Sequence, residues 1–310
     1  MRNIVAILFL SICTYSYSQQ SAHYSQYSFN NFGYNPAFAG TAKCLDFRIG
    51  TRLQWVGFEG APRSTFVSGH AKLGRKTYNG RGTHGIGGYI EQDDVHLTTR
   101  TALKIGYAYH TKLSSKYKMN LGIFAGLQQY STDDVFGGEV NPDPVLSSAA
   151  GSVLRYPDIM PGILLYSRKM YWSFSINQLY FKSINLGQEQ KQVNQYYFGA
   201  GHQSVLGHWS VFKSFLLKQN IMGPPAIDLN MAFVYYQALT FGIGYRVGEA
   251  AMAQLKIKFG KISIGYGFDY PLNKLHGSYT HEIMISFNAC KGDGVGDGAG
   301  GKSFDCPAYN

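Results

Sequence analysis

The chain has 310 residues, a formal net charge of +10 and 15% charged residues, below the roughly 25% of a soluble domain. Aromatic residues also reach 15%, with Tyr 24, Phe 20 and Gly 37, which suits many strands and turns rather than long helices. Lys and Arg are scattered rather than clustered, which argues against a nucleic-acid partner.

Residues 1–18 read as an export signal. Arg2 precedes an apolar run over residues 4–12, too short for a spanning helix of roughly 20 residues. Ser16 and Ser18 give small residues before an expected cleavage after Ser18. A lipoprotein reading at Cys13 is disfavoured, because Ile12 is bulky for the preceding position. No later stretch approaches 18 uninterrupted apolar residues, so no spanning helix is expected.

Residues 19–43 are polar and aromatic, with Asn30, Asn31, Asn35 and Pro36, and do not alternate. They predict an arm or plug. Alternation starts at residue 44. Leu45, Phe47, Ile49, Leu53 and Trp55 fall on one face, and Asp46, Arg48, Gly50, Arg52 and Gln54 fall on the other. The same period of two recurs down the chain to residue 288. The clearest repeats lie over residues 103–110, 119–128, 227–235, 239–246, 253–259, 262–270 and 279–288. Weaker ones lie over 65–73, 84–91, 162–168, 171–177, 195–203 and 210–218. This predicts an all-β, transmembrane, antiparallel up-and-down β-barrel of about 14 strands over residues 44–289. A Gly-rich periplasmic tail follows at 290–310.

Loop lengths supply an independent sign. With a periplasmic N-terminus, the long gaps 130–157 and 179–194 are outer connections, and the tight turns at Arg168-Lys169, Leu206-Gly207 and Gly260 are periplasmic. Long outer loops over short periplasmic turns are the outer-membrane pattern. Both termini are therefore expected in the periplasm, with outer-membrane lipid around the wall.

The segment QYSFNNFGYNPAFAGT at 26–41, followed by QWVGFEGAPRS at 54–64, resembles the start of the PorP/SprF family. YPLNKL at 270–275 and HEIMISF at 281–287 resemble its end. The resemblance implies an outer-membrane component of the type IX secretion system, involved in secretion of surface proteins and gliding. It also implies partners: a periplasmic ring of lipoprotein and ring protein, and secreted cargo with C-terminal signal domains. The family residues here are Asn35, Pro36, Ala37 and Gly40 of the arm, then Gln54, Trp55, Gly57, Gly60 and Pro62 of the first outer loop. Each set has a plain reading as turn chemistry and a sharper one as a partner contact.

Arg48, Arg52, Lys104, Arg246, Lys256, Asp228, Asp269 and Glu282 have inward parity. They predict charges paired across a filled lumen, in preference to an anion-selective pore. Residues 91–96, Glu-Gln-Asp-Asp-Val-His, lack calcium-loop spacing and read as a solvated loop. His281 faces lipid, with no nucleophile motif to make it catalytic. No cofactor or metal is expected. Among Cys44, Cys290 and Cys306, a Cys290–Cys306 bond is preferred to Cys44–Cys290. The leading expectation is a non-enzymatic secretion component that links ring and cargo; the alternative is a porin or transporter for a small solute.

Overall fold

A computed structural model describes residues 22–42, 44–74, 82–132, 153–179, 183–185, 189–191, 194–220, 223–273, 277–289 and 306–309. The expected export signal, Cys290 and most of the Gly-rich tail lie outside them. The first seven strands are β1 (Asp46–Leu53), β2 (Arg63–Leu73), β3 (Thr83–Val95), β4 (Thr98–Lys112), β5 (Lys118–Thr132), β6 (Val153–Tyr166) and β7 (Met170–Asn177). A separate small ribbon pairs β8 (Ser183–Asn185) with β9 (Glu189–Lys191). The wall resumes with β10 (Gln195–Leu206), β11 (Trp209–Asn220), β12 (Ala226–Tyr235) and β13 (Leu239–Arg246). It ends with β14 (Ala250–Phe259), β15 (Ile262–Pro271) and β16 (Thr280–Asn288).

All strands except β8 and β9 join in one closed antiparallel barrel of fourteen. Closure is made by β1 and β16, which pair from Asp46↔Asn288 to Leu53↔His281. A closed wall leaves no open sheet edge, the condition for crossing hydrocarbon without helices. Alternation decides which face is which. On β1 Leu45, Phe47, Ile49 and Leu53 are 39–48% exposed, whereas Asp46, Arg48 and Arg52 are at most 7% exposed. The greasy face is outside and the charged face is inside, the reverse of a soluble core.

Two rims follow from the connections. β1 starts at the rim carrying the 74–82, 113–117, 167–169, 207–208, 236–238 and 260–261 connections, here the turn end. The opposite rim, the loop end, carries 54–62, 133–152, 178–194 and 272–279. Three expectations change in detail. β5 and β6 run further than their periodicity indicated, to Thr132 and from Val153, so the long gap shrinks to 133–152, outside the described residues. The β3–β4 connection at the loop end is only residues 96–97, so loop length does not sort strictly by rim. The acidic stretch at 91–94 is not a loop. It belongs to β3, with Glu91 and Asp93 buried in the lumen, because its outward neighbours Ile90 and Gln92 continue the alternation.

Candidate functional site

The lumen is occupied. Residues 22–42 thread through it as three short turns: Tyr27–Phe29, Asn31–Tyr34 and Pro36–Phe38. Tyr24, Tyr27, Phe32, Ala37, Phe38 and Ala39 are at most 2% exposed. Together with inward residues such as Phe66, Phe124 and Met160 they form one hydrophobic core.

At the loop end the arm is gripped by charge. Six neighbouring strands, β12 to β16 and β1, converge on Ser25. Its amide donates to Glu282 Oε1 at 2.6 Å, and the next amide, of Gln26, donates to Oε2 at 2.9 Å. The Ser25 hydroxyl donates to Asp269 at 2.5 Å and accepts from Arg52 at 3.0 Å and Arg246 at 3.3 Å. Its carbonyl accepts from Gln254 at 2.8 Å and Asn230 at 3.3 Å. The wall charges also neutralise one another. Arg52 pairs with Glu282 and with Asp269, and Arg246 pairs with Asp228 at 2.7 Å. Buried ions demand such partners, since an unpaired one costs several kcal/mol. His23, half-buried beside this cluster, has its imidazole pushed well below the usual range, first by burial and then by Lys218, Arg246 and Arg52.

Midway down, Arg48 pairs with Asp46 at 2.6 Å and donates to the Phe29 carbonyl, and Lys256 sits 5.7 Å over the Phe29 ring. Lys104 crosses to Asp158 at 2.9 Å and to Asn177 at 2.9 Å. All eight inward-parity charges singled out in the sequence line this lumen. Their partners Asp158 and Ser25, and a further lumen pair, Glu91 and Arg100, were missed. Asp158 has the parity of Met160 and Gly162, but Pro157 and Pro161 hid the strand. Glu91 pairs with Arg100 across the β3–β4 hairpin.

Towards the turn end the arm is held by close fit. A Cβ on Gly122 would stand 2.2 Å from Ala37 N, one on Gly85 2.1 Å from the Ala39 carbonyl oxygen, and one on Gly162 2.1 Å from Asn35 Oδ1. Glycine is required where backbone meets backbone this closely. Asn35 caps the Pro36–Phe38 turn by accepting from Ala37 N at 2.9 Å. Its amide donates to the Ile163 carbonyl at 3.0 Å and the Phe174 carbonyl at 3.1 Å, on the β6–β7 ladder. Gly40, at φ +69°, turns the chain out of the lumen beside His70 and into β1. The arm therefore begins at the loop end and leaves at the turn end, so its first described residues lie at the rim opposite to the one expected for the N-terminus.

The tail does not simply hang free. The Pro307–Tyr309 turn packs against β7, β10 and the Tyr27–Phe29 turn, and Asn31 donates to the Ala308 carbonyl at 3.0 Å. Cys306 carries a buried thiol and Cys44 is disulfide-bonded, which overturns the preferred Cys290–Cys306 bond. The physical reason is that Cys306-Pro307-Ala308 is apolar enough to enter the lumen, which draws the thiol away from the rim. The alternative partner, Cys290, falls outside the described residues.

The 54–62 connection at the loop end is a built rim. Gln54 N donates to the Pro62 carbonyl at 3.0 Å, Trp55 N to Thr280 Oγ1 at 3.2 Å, and His96 N to the Gly60 carbonyl at 3.1 Å. Trp55, Gly57 and Gly60 all adopt positive φ, and Val56 and Phe58 are exposed. His281 lies on the outward face with Nδ1 2.7 Å from Tyr266 OH. Among the described residues no group of three or more His, Cys, Asp or Glu side chains is placed to hold a metal.

The fold has relatives among solved barrels. The CymD monoaromatic hydrocarbon channel superposes with a TM-score of 0.50 at 11% identity, over 84% of this chain and 92% of that one. A Pseudomonas aeruginosa FadL homologue gives 0.46 at 9% identity, over 84% and 93%. No curated protein matches the chain. The profile of the type IX secretion system membrane protein PorP/SprF matches residues 16–287, which takes in the arm, the first-loop motif and all fourteen barrel strands. The chain belongs to the PorP/SprF family of type IX secretion system membrane proteins.

Proposed function

We propose that the protein is a non-enzymatic, filled outer-membrane barrel that serves the type IX machine as a scaffold. Its turn end faces the periplasm and meets the periplasmic ring, and its loop end faces outward towards secreted cargo. The observation that carries this reading is the occupied lumen, where residues 22–42 are bonded to the wall from one rim to the other. A solute pore needs a continuous water path. A tightly packed lumen instead gives a stiff body with two faces for binding. The exposed Val56 and Phe58 on the braced first loop support a docking role at the outer rim.

Crosslinking in intact cells followed by capture of the tagged full-length chain tests the proposal. Recovery of a periplasmic ring component is expected. Recovery of cargo alone would recast the protein as a surface anchor, and recovery of neither would overturn the scaffold reading.

A further inference from the structure

The outward face carries a break in its apolar pattern that the lumen does not explain. Lys213 of β11 and His202 of β10 are direct cross-strand partners, and both are exposed. Three other ionisable groups on this face have neighbours: His281 has Tyr266, His84 has Tyr107 and Arg155 has Gln129. Among the described residues Lys213 makes no ion pair or hydrogen bond, and His202 Nδ1 is only within 3.5 Å of Ser204 Oγ. The pair sits four residues in from the Leu206–Trp209 hairpin end, so that the aromatic cluster of Trp209, Tyr235 and Tyr236 lies between it and the rim. Such aromatic clusters mark the headgroup level, so the ammonium starts from the hydrocarbon side of it.

The pair also borders a groove of about 590 Å³ that crosses β7, β10, β11, β12 and β13. Its lining comes in triplets, each an inward-facing residue between two outward-facing ones. The floor is therefore backbone, at Gly201, Ser214 and Gly244, and the groove opens to the outside of the wall. One bank is Trp172, Phe215, Leu229 and Tyr245. The other is Met170, His202, Lys213, Met231 and Ile243. Ala200, small between Trp172 and Phe215, deepens the first bank.

The two features fit one molecule. A lysine rooted in hydrocarbon extends its stem towards the interface, and a phosphate there gives it a charged acceptor. An apolar channel beside that phosphate suits an acyl chain. We infer that this face binds one anionic phospholipid from the leaflet at the turn end, with its phosphate on Lys213 and His202 and an acyl chain between the banks.

Native mass spectrometry of the full-length protein, equilibrated with equimolar phosphatidylglycerol and phosphatidylcholine, tests this. The wild type is expected to retain phosphatidylglycerol with roughly ten-fold preference, equivalent to about 1.4 kcal/mol. The Lys213→Gln/His202→Gln double variant is expected to lose that preference. Ala200→Trp, which fills the groove but keeps both charges, is expected to lose bound lipid of either kind. Heat-shifted migration of each variant on a cold gel confirms that the barrel has folded. Equal retention of the two lipids by wild type, retention of neither, or an unchanged preference in the double variant would overturn the inference. So would a crosslinker at Met231→Cys that yields protein adducts rather than lipid adducts in cells, since the occupant would then be a protein.

Discussion

The two halves of the arm are held by opposite physics. Residues 23–29 run from the loop end to mid-lumen among ions, and at the loop end Ser25 collects bonds from six strands. Residues 32–42 lie at the turn end against glycine, where backbone meets backbone and Asn35 spans two strands. Charge grips strongly but tolerates small shifts, because long side chains can follow. Steric fit tolerates almost none, because a glycine wall has nothing to move. The contrast assigns the loop-end half the character of a releasable latch and the turn-end half that of a fixed seat.

Breaking the latch is expected to have the largest effect. Glu282→Leu strips two arm amides of their acceptor and leaves Arg52 short of a buried partner, a loss of about 3–5 kcal/mol. Urea unfolding in detergent should show that loss, and protease should cut the arm near Ser25 while the wall stays intact. The seat comes next. Gly122→Val drives a Cβ into Ala37 and is expected to cost about 1–3 kcal/mol, with the arm displaced at Ala37 rather than at Ser25. Mapped cleavage sites in the two variants should therefore differ, and identical sites would dissolve the distinction. Asn35→Ala removes a cap and two cross-links to the β6–β7 ladder, for about 1–2 kcal/mol in the same unfolding assay.

The smallest effect is on pH. A docked arm holds His23 neutral, with its pKa well below 6.5, whereas a released arm protonates it near 6.5. Docking is therefore at full strength above about pH 6.5 and weakens as pH falls from there towards the depressed value. Protease access to the arm should rise between pH 7.5 and pH 5, and His23→Gln should flatten that rise. A seat variant should leave the slope unchanged.

Much of the wall was legible because a barrel strand writes its environment into every second residue. Leu45, Phe47 and Ile49 against Asp46 and Arg48 already separate outside from inside. What stayed hidden has particular causes. Pro157 and Pro161 masked the first half of β6, and with it Asp158. The acidic run at 91–94 looked like a loop because charge in a strand is rare outside a lumen. Arm chemistry was the hardest to read. Ser25 is an ordinary residue in an irregular segment, and only the fold brings six strands to it. The glycines of β3, β5 and β6 carried a weak sign, because inward glycines leave room, yet nothing local says what fills it. The tail misled for a similar reason: a disulfide could be drawn within it, but the lumen offered Cys306 a better place.

The central claim is that the barrel is filled and works as a body rather than a pore. Single-channel recording in planar bilayers tests it most directly, comparing wild type with a variant lacking residues 22–42. The account predicts no steady conductance from wild type and well-resolved steps from the deletion. Steady conductance from wild type, unaltered by the deletion, would contradict it.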